Sequence, residues 1–87
     1  MKGLHQPMLS ICIITKNEEQ NIKRCLSCLN DTGLELIVVD TGSTDRTKEI
    51  AREYTDFVYD FAWCDDFAAA KNYAISKASN EYVMVID

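Results

Sequence analysis

At 87 residues the chain has room for one domain, and a domain of that size buries only about 60–65% of its unfolded surface. Hydrophobic residues at 47% and charged residues at 26% exclude a disordered chain, and nine Lys and Arg against fourteen Asp and Glu give a net charge of −5, which excludes the clustered cationic surface that binds a phosphate backbone. The longest apolar run, residues 82–86, falls far short of the ~20 residues that cross a bilayer.

Residues 1–8 form a polar leader without the apolar stretch of a secretory signal. His5 within it is given no role. The expected compartment is the cytoplasm, with peripheral attachment at the inner membrane face left open for a longer protein. The sequence shows neither an internal repeat nor a low-complexity segment.

Residues 9–15, Leu-Ser-Ile-Cys-Ile-Ile-Thr, are short, β-branched and nearly continuous in apolar character, the pattern of a strand covered on both faces. Asn17-Glu18-Glu19 opens a helix with acids suited to its N-terminal dipole. Ile22, Cys25, Leu26 and Leu29 recur at helical spacing and define its buried face. Gly33 ends it as a left-handed terminator. Residues 34–39 read as a second buried strand. Residues 40–45, Asp-Thr-Gly-Ser-Thr-Asp, form a turn into a second helix, capped by Ser43 or Thr44 and packed through Ile50, Ala51 and Tyr54. Residues 56–61 read as a third strand near an edge. Asp65 and Asp66 cap a third helix reaching about Ala78, with Phe67, Ala70, Ala74 and Ala78 as a slim packing face. Residues 81–86 are a fourth strand. Trp63 and Phe67, at the loop–helix junction, are expected to be core anchors rather than a stacking platform for a base or sugar.

Four cysteines are present: Cys12, Cys25, Cys28 and Cys64. Without a secretory signal, disulfides are not expected. Cys25 and Cys28 make a C-x-x-C pair, but it lies inside a helix rather than at its N-terminus, where a redox thiol is activated. A zinc site would need a second pair at ligand spacing. Buried or half-buried structural thiols are the expected reading, with a zinc or redox domain as a lesser one.

Strands alternating with helices imply an α/β domain of three layers on a mostly parallel sheet. Ligands in such sheets lie beyond the carboxyl ends of the strands. Those ends carry Thr15-Lys16-Asn17-Glu18, Asp40-Thr41-Gly42-Ser43 and Asp87. Carboxylates there can accept from ribose hydroxyls or hold a hard divalent cation. Free N–H groups at the helix starts beyond Glu18, Ser43 and Asp66 would suit phosphates. A nucleotide whose phosphates are neutralised by a metal fits the rim. The plainer reading stands beside it: Asp40 and Ser43 shape a turn, Asn17 and Glu18 start a helix, and Lys16 and Lys71 are solvated charges. The chain has no G-x-G-x-x-G after the first strand, no P-loop and no G-x-S-x-G.

Four segments are more specific. Residues 13–19, Ile-Ile-Thr-Lys-Asn-Glu-Glu, resemble the opening strand and loop of family 2 glycosyltransferases. Residues 37–47 resemble their second strand and loop. Residues 63–74 look like a segment of one bacterial branch, and residues 83–87 like the strand that leads into the D-x-D metal motif. The resemblance covers about residues 9–87. It implies the Rossmann-like N-terminal half of a GT-A fold, with four strands in the order 3-2-1-4, as a partial nucleotide-sugar-binding domain truncated at that motif. It implies transfer of a sugar from a nucleoside diphosphate donor with inversion, by a piece expected to be inactive alone. By position, Thr15, Lys16 and Asn17 would line the base and ribose pocket, Glu18 and Asp40 would accept hydrogen bonds from the nucleoside, and Lys71 would approach the diphosphate. Thr41 stands where many members carry a second Asp that reads the base, so a UDP-sugar preference is open. Asp87 would be the first metal carboxylate for Mn2+ or Mg2+, an incomplete site within this chain. No catalytic base is identified. The fourth strand, left as an apolar edge, implies a homodimer or swapped assembly. The competing reading is a non-catalytic flavodoxin-like or receiver-like interaction module.

Overall fold

A computed structural model describes residues 9–63 and 65–86, apart from the side chain of Asp31. The leader with His5, Cys64 and Asp87 lie outside the described residues.

The chain runs β1 (Leu9–Thr15), α1 (Glu19–Leu29), a 3-10 turn (Asn30–Thr32), β2 (Glu35–Asp40), α2 (Thr47–Arg52), β3 (Val58–Asp60), α3 (Phe67–Lys77) and β4 (Tyr82–Ile86). The four strands form one sheet in the order β3-β2-β1-β4, and every neighbouring pair is parallel. The order and direction agree with expectation. β1 and β2 run through the middle because they are the segments apolar on both faces. Ile11 and Ile13 of β1 pack with Leu36 and Val38 of β2 beneath α1 and α2, whereas Cys12, Ile14, Ile37 and Val39 pack with Ala70 and Ala74 of α3 on the other face. Two adjacent strands thus feed two cores, which makes three layers.

α1 is seated by Ile22 and Leu26, each of which contributes about 1.5–3 kcal/mol by leaving water. Gly33 has φ 76°, the left-handed geometry that ends the helix as its residue type foretold. α3 is capped by Asp66, whose side chain accepts from the Ala69 N–H at 3.1 Å. Its alanines allow close approach: Cys12 Sγ reaches the Ala74 carbonyl oxygen at 3.5 Å.

Several boundaries differ from expectation. α2 starts at Thr47 rather than after Ser43 or Thr44, and neither of those residues caps it. Both are occupied in bonds to the β1–α1 loop. β3 shrinks to three residues, because only Val58, Tyr59 and Asp60 reach β2 in register. Trp63 and Phe67 are not core anchors: they remain 44% and 40% exposed, because Phe61 and Tyr73 take the core positions on that face, with ring centroids 4.9 Å apart. Cys28 is exposed, contrary to the buried or half-buried state expected of it, while Cys12 is buried and Cys25 half-buried.

One stabilising group was not anticipated. At the amino end of the sheet, Glu35 Oε1 accepts from Ser10 Oγ at 2.6 Å and from the Ser79 N–H at 2.9 Å, and its Oε2 accepts from Ser79 Oγ at 2.6 Å. Asn80 Nδ2 donates to Ser10 Oγ at 3.0 Å. One carboxylate therefore ties β1, β2 and the α3–β4 connection together. Burial pushes the Glu35 carboxyl up, but the bonds from Ser10 and Ser79 outweigh it, and the net shift is downward.

Candidate functional site

The polar residues with chemical potential sit where parallel topology sends them, at the carboxyl ends of β1 and β2. Register pairs Thr15 with Asp40, so the two tips start side by side. The Thr41 N–H and hydroxyl both donate to the Thr15 carbonyl, at 3.0 and 3.2 Å, extending the pairing by one residue.

Asp40 is only 2% exposed. Its Oδ2 accepts from the Ser43 N–H at 3.0 Å and the Gly42 N–H at 3.4 Å, and its Oδ1 accepts from Ser43 Oγ. Gly42 holds φ 114°, a conformation only glycine adopts without strain. The turn reading of Asp40 and Ser43 thus describes these contacts. A carboxylate offers about four lone-pair sites, so three accepted bonds leave Asp40 capacity for one more.

The two loops are stitched together through side chains. Asn17, at φ 52°, presents Oδ1 to the Thr44 N–H at 2.7 Å and the Asp45 N–H at 3.3 Å. Its own N–H donates to Ser43 Oγ at 2.8 Å. The Glu18 N–H donates to Thr47 Oγ1 at 2.8 Å and the Glu19 N–H to Asp45 Oδ2 at 3.4 Å. Asp45 Oδ1 accepts from the Thr47 N–H at 2.9 Å and from its hydroxyl. The hydrogen bond from the Thr47 hydroxyl, with those from nearby N–H groups, holds the Asp45 carboxyl below the usual range against desolvation. Of the N–H groups expected to be free at the helix starts beyond Glu18, Ser43 and Asp66, those of Glu19, Thr44 and Ala69 are taken by the side chains of Asp45, Asn17 and Asp66. Asp45 and Thr47 escaped the sequence reading. The signal was the Asp-x-Thr spacing before a helix, in which the acid bonds the N–H two residues on.

A groove of about 220 Å³ opens beside this rim, lined by Ile13, Thr15, Lys16, Glu18, Cys25 and Ile86 among others. Thr15 is 5% exposed, and its hydroxyl is the buried side-chain oxygen left without a partner among the described residues. Glu18 accepts from Asn21 Nδ2 at 2.8 Å on the groove's margin. Burial, with Cys28 nearby, pushes the Cys25 thiol up, and burial, with Glu35 nearby, does the same at Cys12; neither is an activated thiolate.

Thr15, Lys16, Asn17, Glu18, Asp40 and Thr41 are thus brought to one rim. Lys71 is exposed, one turn into α3, which covers the opposite face of the sheet from α1 and α2. Asp87 lies outside the described residues. Among those described, no cluster of three or more His, Cys, Asp and Glu could hold a metal ion. Among them, too, no helix is long and apolar enough to cross a membrane.

Fold and rim together define an α/β domain of the kind that binds ligands at the carboxyl ends of parallel strands. Comparison with known proteins narrows the class: residues 10–87 match glycosyl transferase family 2, and the chain belongs to that family. It is 41% identical over 85 residues to a TPR repeat-containing protein of Synechococcus elongatus, covering 98% of this chain and 21% of the relative. To the SPbeta prophage-derived glycosyltransferase SunS of Bacillus subtilis it is 36% identical over 83 residues, covering 93% and 20%. To an uncharacterized glycosyltransferase of Rickettsia typhi it is 38% identical over 79 residues, covering 91% and 27%. The chain spans about a fifth to a quarter of the length of these relatives. The match sets aside the flavodoxin-like or receiver-like reading.

Proposed function

We propose that this chain is the donor-nucleotide-binding part of a glycosyltransferase that moves a sugar from a nucleoside diphosphate to an acceptor with inversion. The observation that carries the reading is the joining of the β1 and β2 tips around Asp40, in a chain that belongs to family 2. The Thr15 hydroxyl has no partner among the described residues, and Asp40 keeps acceptor capacity, so a ribose or base can bond there. Lys16 and Glu18 flank the groove, one supplying charge and the other an acceptor. Asn17 acts through the loops, since its carbonyl oxygen is engaged with Thr44 and Asp45. Lys71 is assigned to the diphosphate and Asp87 to a divalent cation, Mn2+ or Mg2+, which when bound would stabilise the departing nucleoside diphosphate.

Calorimetric titration with the common nucleoside diphosphates, with and without Mn2+, tests the proposal. Saturable heat is expected for at least one of them. Flat traces for all, with ligand reaching about 1 mM, where even a binding energy near −4 kcal/mol would register, overturn it.

Self-association through β4 belongs to the same proposal. Among the described residues β4 is paired on one side only, and Tyr82 and Met84 are exposed, as an edge that pairs with a second copy would be. Sedimentation at high micromolar concentration should give a dimer, and Met84→Lys should shift it to monomer. A monomer in both cases removes this part of the proposal.

A further inference from the structure

The donor-site reading makes no use of Cys25 and Cys28, which the fold sets side by side near the carboxyl end of α1. Residues three apart on a helix stand about 5–6 Å apart at Cβ, and the Cys25 thiol is pushed up by burial and by Cys28 beside it. Their surroundings differ. Cys28 is exposed, whereas Cys25 is half-buried, packs against the core and lines the groove with Thr15, Lys16 and Ile86. A disulfide needs Cβ atoms about 3.5–4.5 Å apart, closer than an α-helical turn holds them. The end of α1 supplies the difference. A 3-10 turn, Asn30–Thr32, follows Leu29 directly. In 3-10 winding the side chains at i and i+3 eclipse, so carrying that winding back by one turn brings the two sulfurs over each other. Ser27, between them, already turns its hydroxyl to the Arg24 carbonyl at 3.0 Å, a local bond that competes with the α-helical ladder.

We propose that Cys25 and Cys28 are a reversible dithiol–disulfide site that remodels the wall of the groove. The oxidant is a low-molecular-weight disulfide such as glutathione disulfide. The exposed Cys28 thiolate attacks one of its sulfurs, a mixed disulfide forms on Cys28, and one glutathione thiolate leaves. The Cys25 thiolate then attacks the Cys28 sulfur, the Cys25–Cys28 bond forms, and the second glutathione leaves. Two electrons pass from the protein to the oxidant, and the two thiol protons end on the two glutathione thiols. Burial leaves Cys25 the less ionised, so first attack falls to Cys28 and Cys25 serves the intramolecular step. A bond at an exposed position, which the helix must rewind to accept, belongs with labile, easily reduced disulfides rather than structural ones. Closure draws the Cys25 sulfur toward Cys28 and away from the groove it lines. The consequence for nucleotide binding, and that consequence alone, rests on the transferase reading.

Trypsin cuts after Arg24 and next after Arg46, so one peptide, residues 25–46, carries Cys25 and Cys28 and neither Cys12 nor Cys64. The chain is equilibrated in glutathione buffers of rising disulfide content, quenched, alkylated, digested and weighed. The peptide should lose two hydrogen atoms in the oxidising buffers and regain both in excess reduced glutathione. Cys28→Ser should abolish that loss, and Cys25→Ser should stop at a glutathione adduct on Cys28. A wild-type peptide that stays reduced throughout, halts at the adduct, or links to Cys12 or Cys64 overturns the proposal. Calorimetric titration with the common nucleoside diphosphates is then run on both forms. The oxidised chain should bind roughly three- to fourfold more weakly, the worth of one small apolar contact, while Cys28→Ser should bind alike in both buffers. Equal affinity in the two forms overturns the remodelling of the groove. A mapped Cys25–Cys28 bond in a chain that binds no nucleoside diphosphate in either form sinks the nucleotide reading and leaves the disulfide site standing.

Discussion

Thr47 is fully buried at the start of α2 and bonds in two directions, accepting from the Glu18 N–H and donating to Asp45. Valine has nearly its shape and neither function. Thr47→Val should therefore leave the Glu18 N–H unsatisfied and destabilise the domain by about 1–3 kcal/mol, read as a lower urea midpoint with an unchanged slope. A loss under 0.5 kcal/mol, the scale of an ordinary surface change, would mean that the loop stitching contributes little. At the other end of the sheet, Glu35 makes a pH prediction. Its folded pKa is lowered, so its contribution is fully present above the unfolded value and is lost as pH falls through the folded one. The thermal midpoint of the wild type should drop as pH falls below the ordinary carboxylate range. Glu35→Gln should begin lower at neutral pH and show a shallower acid slope. Parallel slopes would assign the acid sensitivity to other carboxylates.

Helix α3 is seated through alanines, and Ala70 and Ala74 are fully buried against Cys12, Ile14, Ile37 and Val39. A large side chain there has nowhere to go. Ala74→Leu should destabilise by about 1–3 kcal/mol through overpacking, whereas Ala68→Leu, on an exposed position of the same helix, should stay within about 0.5 kcal/mol. Denaturant unfolding of the pair checks this. The alanine stripe was legible in the sequence because spacing alone defines a helical face. So were β1 and β2, whose nearly continuous apolar runs are the pattern of strands covered on both faces. The start of α2 was not legible. Ser43 and Thr44 have the chemistry of helix caps, but parallel pairing brings Asn17 opposite them, and both bond across the loops instead. Trp63 and Phe67 failed for a related reason: residue type signals a wish for burial, and only the assembled face shows that Phe61 and Tyr73 already hold the places. The rim residues of β1 and β2 were found because topology fixes which strand ends point one way. Asp45 and Thr47 bond each other two residues apart, a local signal, but their bonds to the Glu18 and Glu19 N–H groups cross 26 to 29 residues and appear only once the loops are assembled.

For the molecule as a whole, the net charge of −5 opposes the anionic ligand that the rim is proposed to bind. Long-range repulsion of this kind is screened as ionic strength rises, the Debye length falling from about 30 Å at 10 mM to about 8 Å at 150 mM. Without divalent cation, affinity for a nucleoside diphosphate should therefore rise modestly over that range, the reverse of the trend for a cationic pocket. With Mn2+ present the ligand arrives partly neutralised, so affinity should be higher throughout and its salt dependence flatter. Calorimetric titrations at the two salt concentrations, with and without Mn2+, separate the cases. Affinity that falls with salt in the absence of metal would mean that Lys16 and Lys71 outweigh the fourteen acids at the site itself. In that event the cation would not be needed to bring the phosphates in, and the case for Asp87 as a metal carboxylate would lose its electrostatic support.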